Sequence, residues 1–284
     1  MVRLPGFGGM PLLHVLEFFL HGVQKSSLTN RAAAVSFKFF MALFPGVIFL
    51  MTIIPYIPIT DFHQKLLVTI EGIIPEQVYP MVEQTVVDVV KRRQTGLLSL
   101  GFFIAMFFST NGMNGLMKAF NESAFITETR KPLKQRGIAI LLTMFGILTL
   151  ITMVAFLVVS NRIITAYFRE GLMSRTWFHT WLSLKWIPVF VILYFLMATI
   201  FYFAPSRNMR SRFFSTGALA STLFSILFTY LITVYINNFN NYNKIYGVLG
   251  AFPVILIWIF LNALAILIGF ELNVTIRHAG NQKK

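Results

Sequence analysis

Six stretches of this 284-residue chain run for more than 20 residues without Asp, Glu, Lys or Arg. They are Phe39–Thr60, Gln94–Met117, Gly137–Asn161, Trp186–Ser206, Phe213–Asn243 and Ile245–Phe270. Together they hold 149 residues, and all 34 charges fall in the other 135, a density of 25% there. That density is ordinary for a soluble surface. A hydrocarbon core about 30 Å thick needs roughly 20 apolar residues as a helix. Strands of a membrane barrel alternate in polarity and are only about 10 residues long, whereas these runs are apolar on every side. The pattern predicts an all-α membrane protein with six transmembrane helices in one domain, 34–277. Its spans fall at about 34–58, 95–120, 137–161, 186–205, 213–236 and 246–270.

Six spans put both termini on one side. That side collects fifteen of the 24 Lys and Arg residues, and the other side nine. Positive charge is retained on the cytoplasmic side, so the expectation is a multi-pass protein of the bacterial inner membrane with cytoplasmic termini. The linkers near 121–136 and 207–212 are strongly basic, which suits anionic lipid headgroups on that face.

The segments outside the spans are amphipathic. In residues 1–33, Leu12, Leu13, Leu16, Phe19, Leu20 and Val23 recur at helical spacing, opposite His14, Glu17, His21 and Gln24. This predicts a helix lying in the cytoplasmic interface. Residues 61–93 alternate in the same way on both sides of Pro75 and predict two short extracytoplasmic helices. Residues 278–284 form a basic cytoplasmic tail.

Helix breakers and polar side chains within the spans mark the candidate positions. Pro45 and Pro253 each remove a backbone donor, and Gly247 and Gly250 precede Pro253, so the start of the sixth span is expected to be distorted. Broken helices at membrane depth build transporter sites, although Pro and Gly are also common in ordinary spans. Glu271, Asn273, Asn111, Asn114 and Tyr246 are the substrate-path candidates. A carboxylate near hydrocarbon needs a partner, and Lys38, Lys118 and Arg130 are the cations expected to supply one. Glu271 is equally compatible with a structural ion pair and a substrate site. Helix–helix hydrogen bonding is the more usual role for Asn111 and Asn114.

The absence of cysteine removes thiolate metal sites and thiol nucleophiles. No phosphate-binding G-x-x-x-x-G-K-[ST] loop and no G-x-S-x-G elbow occurs. The carboxylates are not clustered as two-metal phosphodiester chemistry requires. No cofactor, metal, nucleic-acid partner or enzymatic activity is expected.

Several stretches, in order and at characteristic spacing, carry a resemblance. They are Ala32–Phe37 with Ala42-Leu43-Phe44-Pro45; Leu116–Asn121 with Glu128-Thr129-Arg130; Tyr202-Phe203-Ala204-Pro205; Gly217-Ala218; Tyr246-Gly247; and Trp258 with Gly269–Asn273. Over nearly its whole length the chain resembles the YihY/BrkB-like family of bacterial inner-membrane proteins, once labelled ribonuclease BN. Lys38 stands where that pattern usually continues with an aromatic or apolar residue. The resemblance implies six spans and a role in envelope integrity or lipid export. On this basis the chain is expected to handle an envelope lipid or amphiphile, as a flippase, exporter or lipid-transfer partner. The alternative is a non-transporting scaffold for an envelope-integrity complex, with an envelope protein as partner. The ribonuclease label is rejected, because no metal-nuclease constellation is present.

The orientation is testable. Single cysteines at Lys284 and within 71–88 of this cysteine-free chain should react with an impermeant thiol reagent from opposite sides; labelling from one side would refute the six-span arrangement.

Overall fold

The computed structural model describes residues 27–53, 95–123, 130–171, 174–206, 213–238 and 251–281. The expected interfacial helix (up to residue 26), the segment 61–93, Tyr246, Gly247, Gly250 and the last three residues of the tail lie outside the described residues. Among the described residues every regular element is helical, as expected of chain in hydrocarbon, where a helix satisfies its own backbone. The helices are α1 (Leu28–Ile53), α2 (Thr95–Asn121), α3 (Pro132–Arg169), α4 (Arg175–Leu184), α5 (Trp186–Phe203), α6 (Thr216–Asn238) and α7 (Ala251–Asn281).

Local chemistry explains the boundaries. Pro132 stands at the start of α3, where its missing N–H is no loss. Gly171 follows that helix with φ +71°, the left-handed conformation that glycine adopts without a Cβ penalty. The Ser174 hydroxyl caps α4 by accepting from the Trp177 amide. Helix α3 has 38 residues, about 57 Å at 1.5 Å each, which is more than a bilayer core requires.

The long helices pack in chain order. Helix α1 lies on α2, α2 on α3, α3 on α5, α5 on α6 and α6 on α7, and α7 returns to α1. Six long helices thus close a ring, with α4 bridging α3 and α5. Five described stretches have the length and hydropathy of a membrane span: Leu28–Phe49, Pro132–Arg169, Arg175–Phe203, Thr216–Ile236 and Phe252–Arg277. Helix α2 is not among them. It is 27 residues long, but Ser109, Thr110, Asn111 and Asn114 interrupt its apolar run. The chain is therefore an all-α membrane protein, with five spans given by length and composition and α2 as the sixth member of the ring. Its outer surface is apolar, with Phe103, Leu141 and Trp177 each about two-thirds or more exposed.

Helix α1 runs through Pro45 without ending. Helix α7 is described from Ala251, two residues before Pro253, and runs unbroken from there to Asn281; Gly247 and Gly250, which with Pro253 carry the expected distortion, lie outside the described residues.

The core gathers where α1, α3 and α6 begin and α2, α5 and α7 end. The Phe120 and Phe270 rings stack with centroids 4.1 Å apart. Phe201 meets both edge-on, at 5.7 and 5.9 Å. All three rings are fully buried. On the α6–α7 seam, Gly217 and Gly269 bring the two backbones together. A Cβ on Gly269 would collide with the Ser221 side chain and the Gly217 carbonyl. Ser221 Oγ donates to the Ala265 carbonyl across the same seam, 3.0 Å. Contacts of this kind replace the hydrophobic effect, which does not drive helices together in lipid. Gly269→Val should push α6 from α7 and lower stability by about 1–3 kcal/mol or more. Unfolding in detergent and reduced disulfide cross-linking between cysteines placed on the two helices would both report it.

Candidate functional site

Two polar features interrupt the apolar bundle at its basic end. The first is internal. Arg31, in the first turn of α1, points inward and donates from Nη2 to Glu271 Oε1 at 2.5 Å. Its Nη1 donates to the Ala119 carbonyl at 2.6 Å. Ser123, just beyond α2, donates its hydroxyl to Glu271 Oε2 at 2.8 Å. Arg31 is 6% exposed and Glu271 2%. One guanidinium and one carboxylate therefore join α1, α2 and α7. The Nε of Arg31 is buried without a hydrogen-bond partner among the described residues.

This corrects the expected pairing. Lys38, Lys118 and Arg130 were the anticipated cations, and the structure gives the carboxylate to Arg31. Arg130 instead donates to the carbonyls of Ala204 (3.0 Å) and Phe203 (3.3 Å) at the end of α5. Those carbonyls have no intrahelical donor, so a cation there satisfies them and complements the helix dipole. Glu271 also lies ten residues before the end of α7, because the helix continues to Asn281.

Asn273 faces a different neighbour from Glu271. Its Oδ1 accepts from the Gly217 amide and its Nδ2 donates to Ser215 Oγ, both at 2.8 Å. It thereby caps α6 at the Gly217 amide, while the next amide, of Ala218, goes to Ser215 Oγ. Asn121 does similar work, accepting from the Ser206 amide at 3.2 Å.

The second feature is a cleft of about 360 Å³ between α1 and α2. Phe37, Lys38 and Met41 line it from α1, and Phe108, Asn111, Asn114 and Lys118 from α2. Phe37, Lys38, Met41 and Lys118 are exposed, so the cleft opens to the outside of the ring. Gly115 leaves room for the Lys38 side chain against α2. A Cβ there would lie 2.6 Å from Lys38 Cδ and 3.2 Å from Nζ, so a larger residue would make the lysine side chain shift from this position. Asn111 Oδ1 accepts from Arg136 Nη1 at 2.6 Å. The Arg136 guanidinium in turn sits 5.2 Å from the Phe107 ring centroid. Asn114 Oδ1 is buried with no partner among the described residues.

Of the sequence candidates, the structure thus brings Lys38, Lys118, Asn111 and Asn114 into one cleft. It separates them from Glu271 and Asn273, which face the bundle interior and α6. Arg31, Ser123 and Arg136 were not anticipated. Arg31 shares a helical face with the buried Val35 and Ala42, and that periodicity was the available signal. Among the described residues, no three His, Asp or Glu side chains are grouped so as to hold a metal ion.

Comparison with known proteins adds the following. The family described as Virulence factor BrkB matches residues 19–284. A putative ribonuclease-like protein, YfkH, of Bacillus subtilis is 27% identical over 86% of this chain and 88% of its own length. A UPF0761 membrane protein of Haemophilus influenzae is 23% identical over 99% of both chains. A UPF0761 membrane protein of Glaesserella parasuis is 34% identical over 30% of each. No solved structure matches.

The buried pair makes a measurable claim. Glu271→Ala leaves Arg31 charged and buried, and should cost about 3–5 kcal/mol. Arg31→Leu combined with Glu271→Leu should recover most of that loss, because an apolar pair removes both desolvation penalties. Denaturant unfolding in detergent would compare them; equal destabilisation in the single and double variants would refute the pairing.

Proposed function

The chain belongs to the virulence factor BrkB family, whose UPF0761 relatives carry the name membrane protein, and from that membership we propose that it handles an envelope lipid or amphiphile. It does so from the bacterial inner membrane with cytoplasmic termini, as a flippase, exporter or lipid-transfer partner. The observation that carries this reading is the α1–α2 cleft: two lysines and two asparagines over Phe37, Met41 and Phe108, open sideways from the ring. A molecule with a polar head and an apolar tail reaches such a cleft from the membrane itself. Catalysis has no part in the reading. The ribonuclease-like name belongs to the Bacillus subtilis relative.

One observation favours the scaffold alternative. An apolar groove of about 610 Å³ runs between the 151–164 stretch of α3 and Trp181 of α4, open to the outside of the ring. It offers a surface for an envelope protein partner.

The two readings separate by labelling. Phospholipids bearing a photoreactive group near the head should cross-link residues 37–41 and 108–118 well above the 219–227 stretch of α6, although that stretch is the more exposed. Even labelling around the ring would refute lipid handling at the cleft.

A further inference from the structure

We propose that the α1–α2 cleft holds an anionic phosphate headgroup that also bears a hydrogen-bond donor, the chemistry of a phosphatidylglycerol-type lipid. This rests on the amphiphile reading above and names the class of amphiphile.

Charge is the first argument. Lys38 and Lys118 supply two ammonium groups, and none of the residues lining the cleft is acidic. Arg136 adds a third cation at its edge, oriented by Asn111. Glu122 follows Lys118 by one turn but lies past the end of α2, outside the lining. With Glu271 bound to Arg31 inside the ring, that carboxylate is committed elsewhere. A cleft walled partly by phenylalanine and methionine lowers the local dielectric, which strengthens attraction to an anion. Lysine is a common phosphate binder, acting as a point charge.

Position is the second argument. Lys38 lies seven residues further along α1 than Arg31, about 10 Å along the axis. Gly115 admits its stem against α2, so the ammonium is placed between the helices. A lysine there is not simply reaching for the nearest water.

Hydrogen-bonding capacity is the third argument. Asn114 Oδ1 is a buried acceptor with no described partner. A buried acceptor left unmet carries its full desolvation penalty. A glycerol hydroxyl beside the phosphate supplies the missing donor; a choline headgroup has none. The volume of about 360 Å³ is at the small end for ligand sites, room for a headgroup rather than a whole lipid. The tail then follows the exposed apolar residues of α1, Met41, Phe44 and Ile48, which continue from Phe37 at helical spacing. This apolar track is the reason to choose a lipid over free phosphate.

The test uses the full chain in detergent, titrated with phosphatidylglycerol, phosphatidylcholine or inorganic phosphate and read by native mass spectrometry. Phosphatidylglycerol should bind about tenfold or more tighter than phosphatidylcholine, with no competition from millimolar inorganic phosphate. Lys38→Gln with Lys118→Gln should erase the preference, and Lys131→Gln with Lys134→Gln, which removes the same charge outside the cleft, should leave it intact. Asn114→Leu should weaken phosphatidylglycerol and spare phosphatidylcholine. Equal binding of the two lipids by wild-type protein would overturn the proposal, and needs no variant to fold. Equal loss in both double variants would reduce it to general electrostatics and overturn it as well. Competition by inorganic phosphate would assign the cleft to a free anion and overturn the lipid assignment. Cross-linking at 37–41 and 108–118 that persists without headgroup preference would refute this inference alone. Absent cross-linking would refute the underlying reading.

Discussion

A charge placed among apolar helices must find a counter-charge, and Arg31 and Glu271 meet that demand inside the ring. In a low-dielectric interior neither ion is tolerable alone, and the pair needs further hydrogen bonds to use its remaining capacity. Ser123 and the Ala119 carbonyl provide them. Such a pair contributes little net stability over an apolar one, so its effect is geometric. It fixes the start of α1 against the end of α2 and against a point ten residues before the end of α7. Phe120 follows Ala119 in sequence and Phe270 precedes Glu271, so the same alignment brings their rings into stacking contact at 4.1 Å. The ion pair and the aromatic core are two layers of one joint.

Other side chains extend this joint around the basic end. Arg130 closes the end of α5, Asn121 meets the Ser206 amide, and Asn273 caps α6. Each satisfies backbone groups that a helix leaves open at its termini. Near lipid, where water is scarce, such groups are costly if unmet. The seams beyond this end rely on close approach, as at Gly217 and Gly269.

The fold was legible because its strongest signal, long runs free of charge, is the constraint that hydrocarbon imposes. The boundaries were less so. The expected first span, 34–58, already admits Lys38; α1 takes in Arg31 as well, and α7 passes through Glu271, one residue beyond the expected sixth span, to reach Asn281. A paired ion is invisible to a rule that treats charge as exposure. Glu271 was identifiable as needing a partner. Which cation served it depended on the rotation of α1 about its axis, and pairwise counting does not contain that. The cleft residues were named singly, as Lys38, Lys118, Asn111 and Asn114. Their convergence is a matter of how α1 and α2 pack, with Gly112 and Gly115 leaving room for the Phe39 and Lys38 side chains.

The pairing of Glu271 with Arg31 also gives the cleft its chemical character. Had the carboxylate taken Lys38 or Lys118, only one of the two ammonium groups between α1 and α2 would have been left without a counter-charge. With that carboxylate turned inward, two ammonium groups remain on the outer side of the same pair of helices, over Phe37, Met41 and Phe108. Positive charge on the outside of a membrane bundle favours an anion that arrives through the membrane, and lipid phosphate is the abundant one. Arg31 and Lys38 stand seven residues apart, within about 20° of each other around α1, yet Arg31 is buried against Glu271 on α7 while the exposed Lys38 lines the cleft against α2.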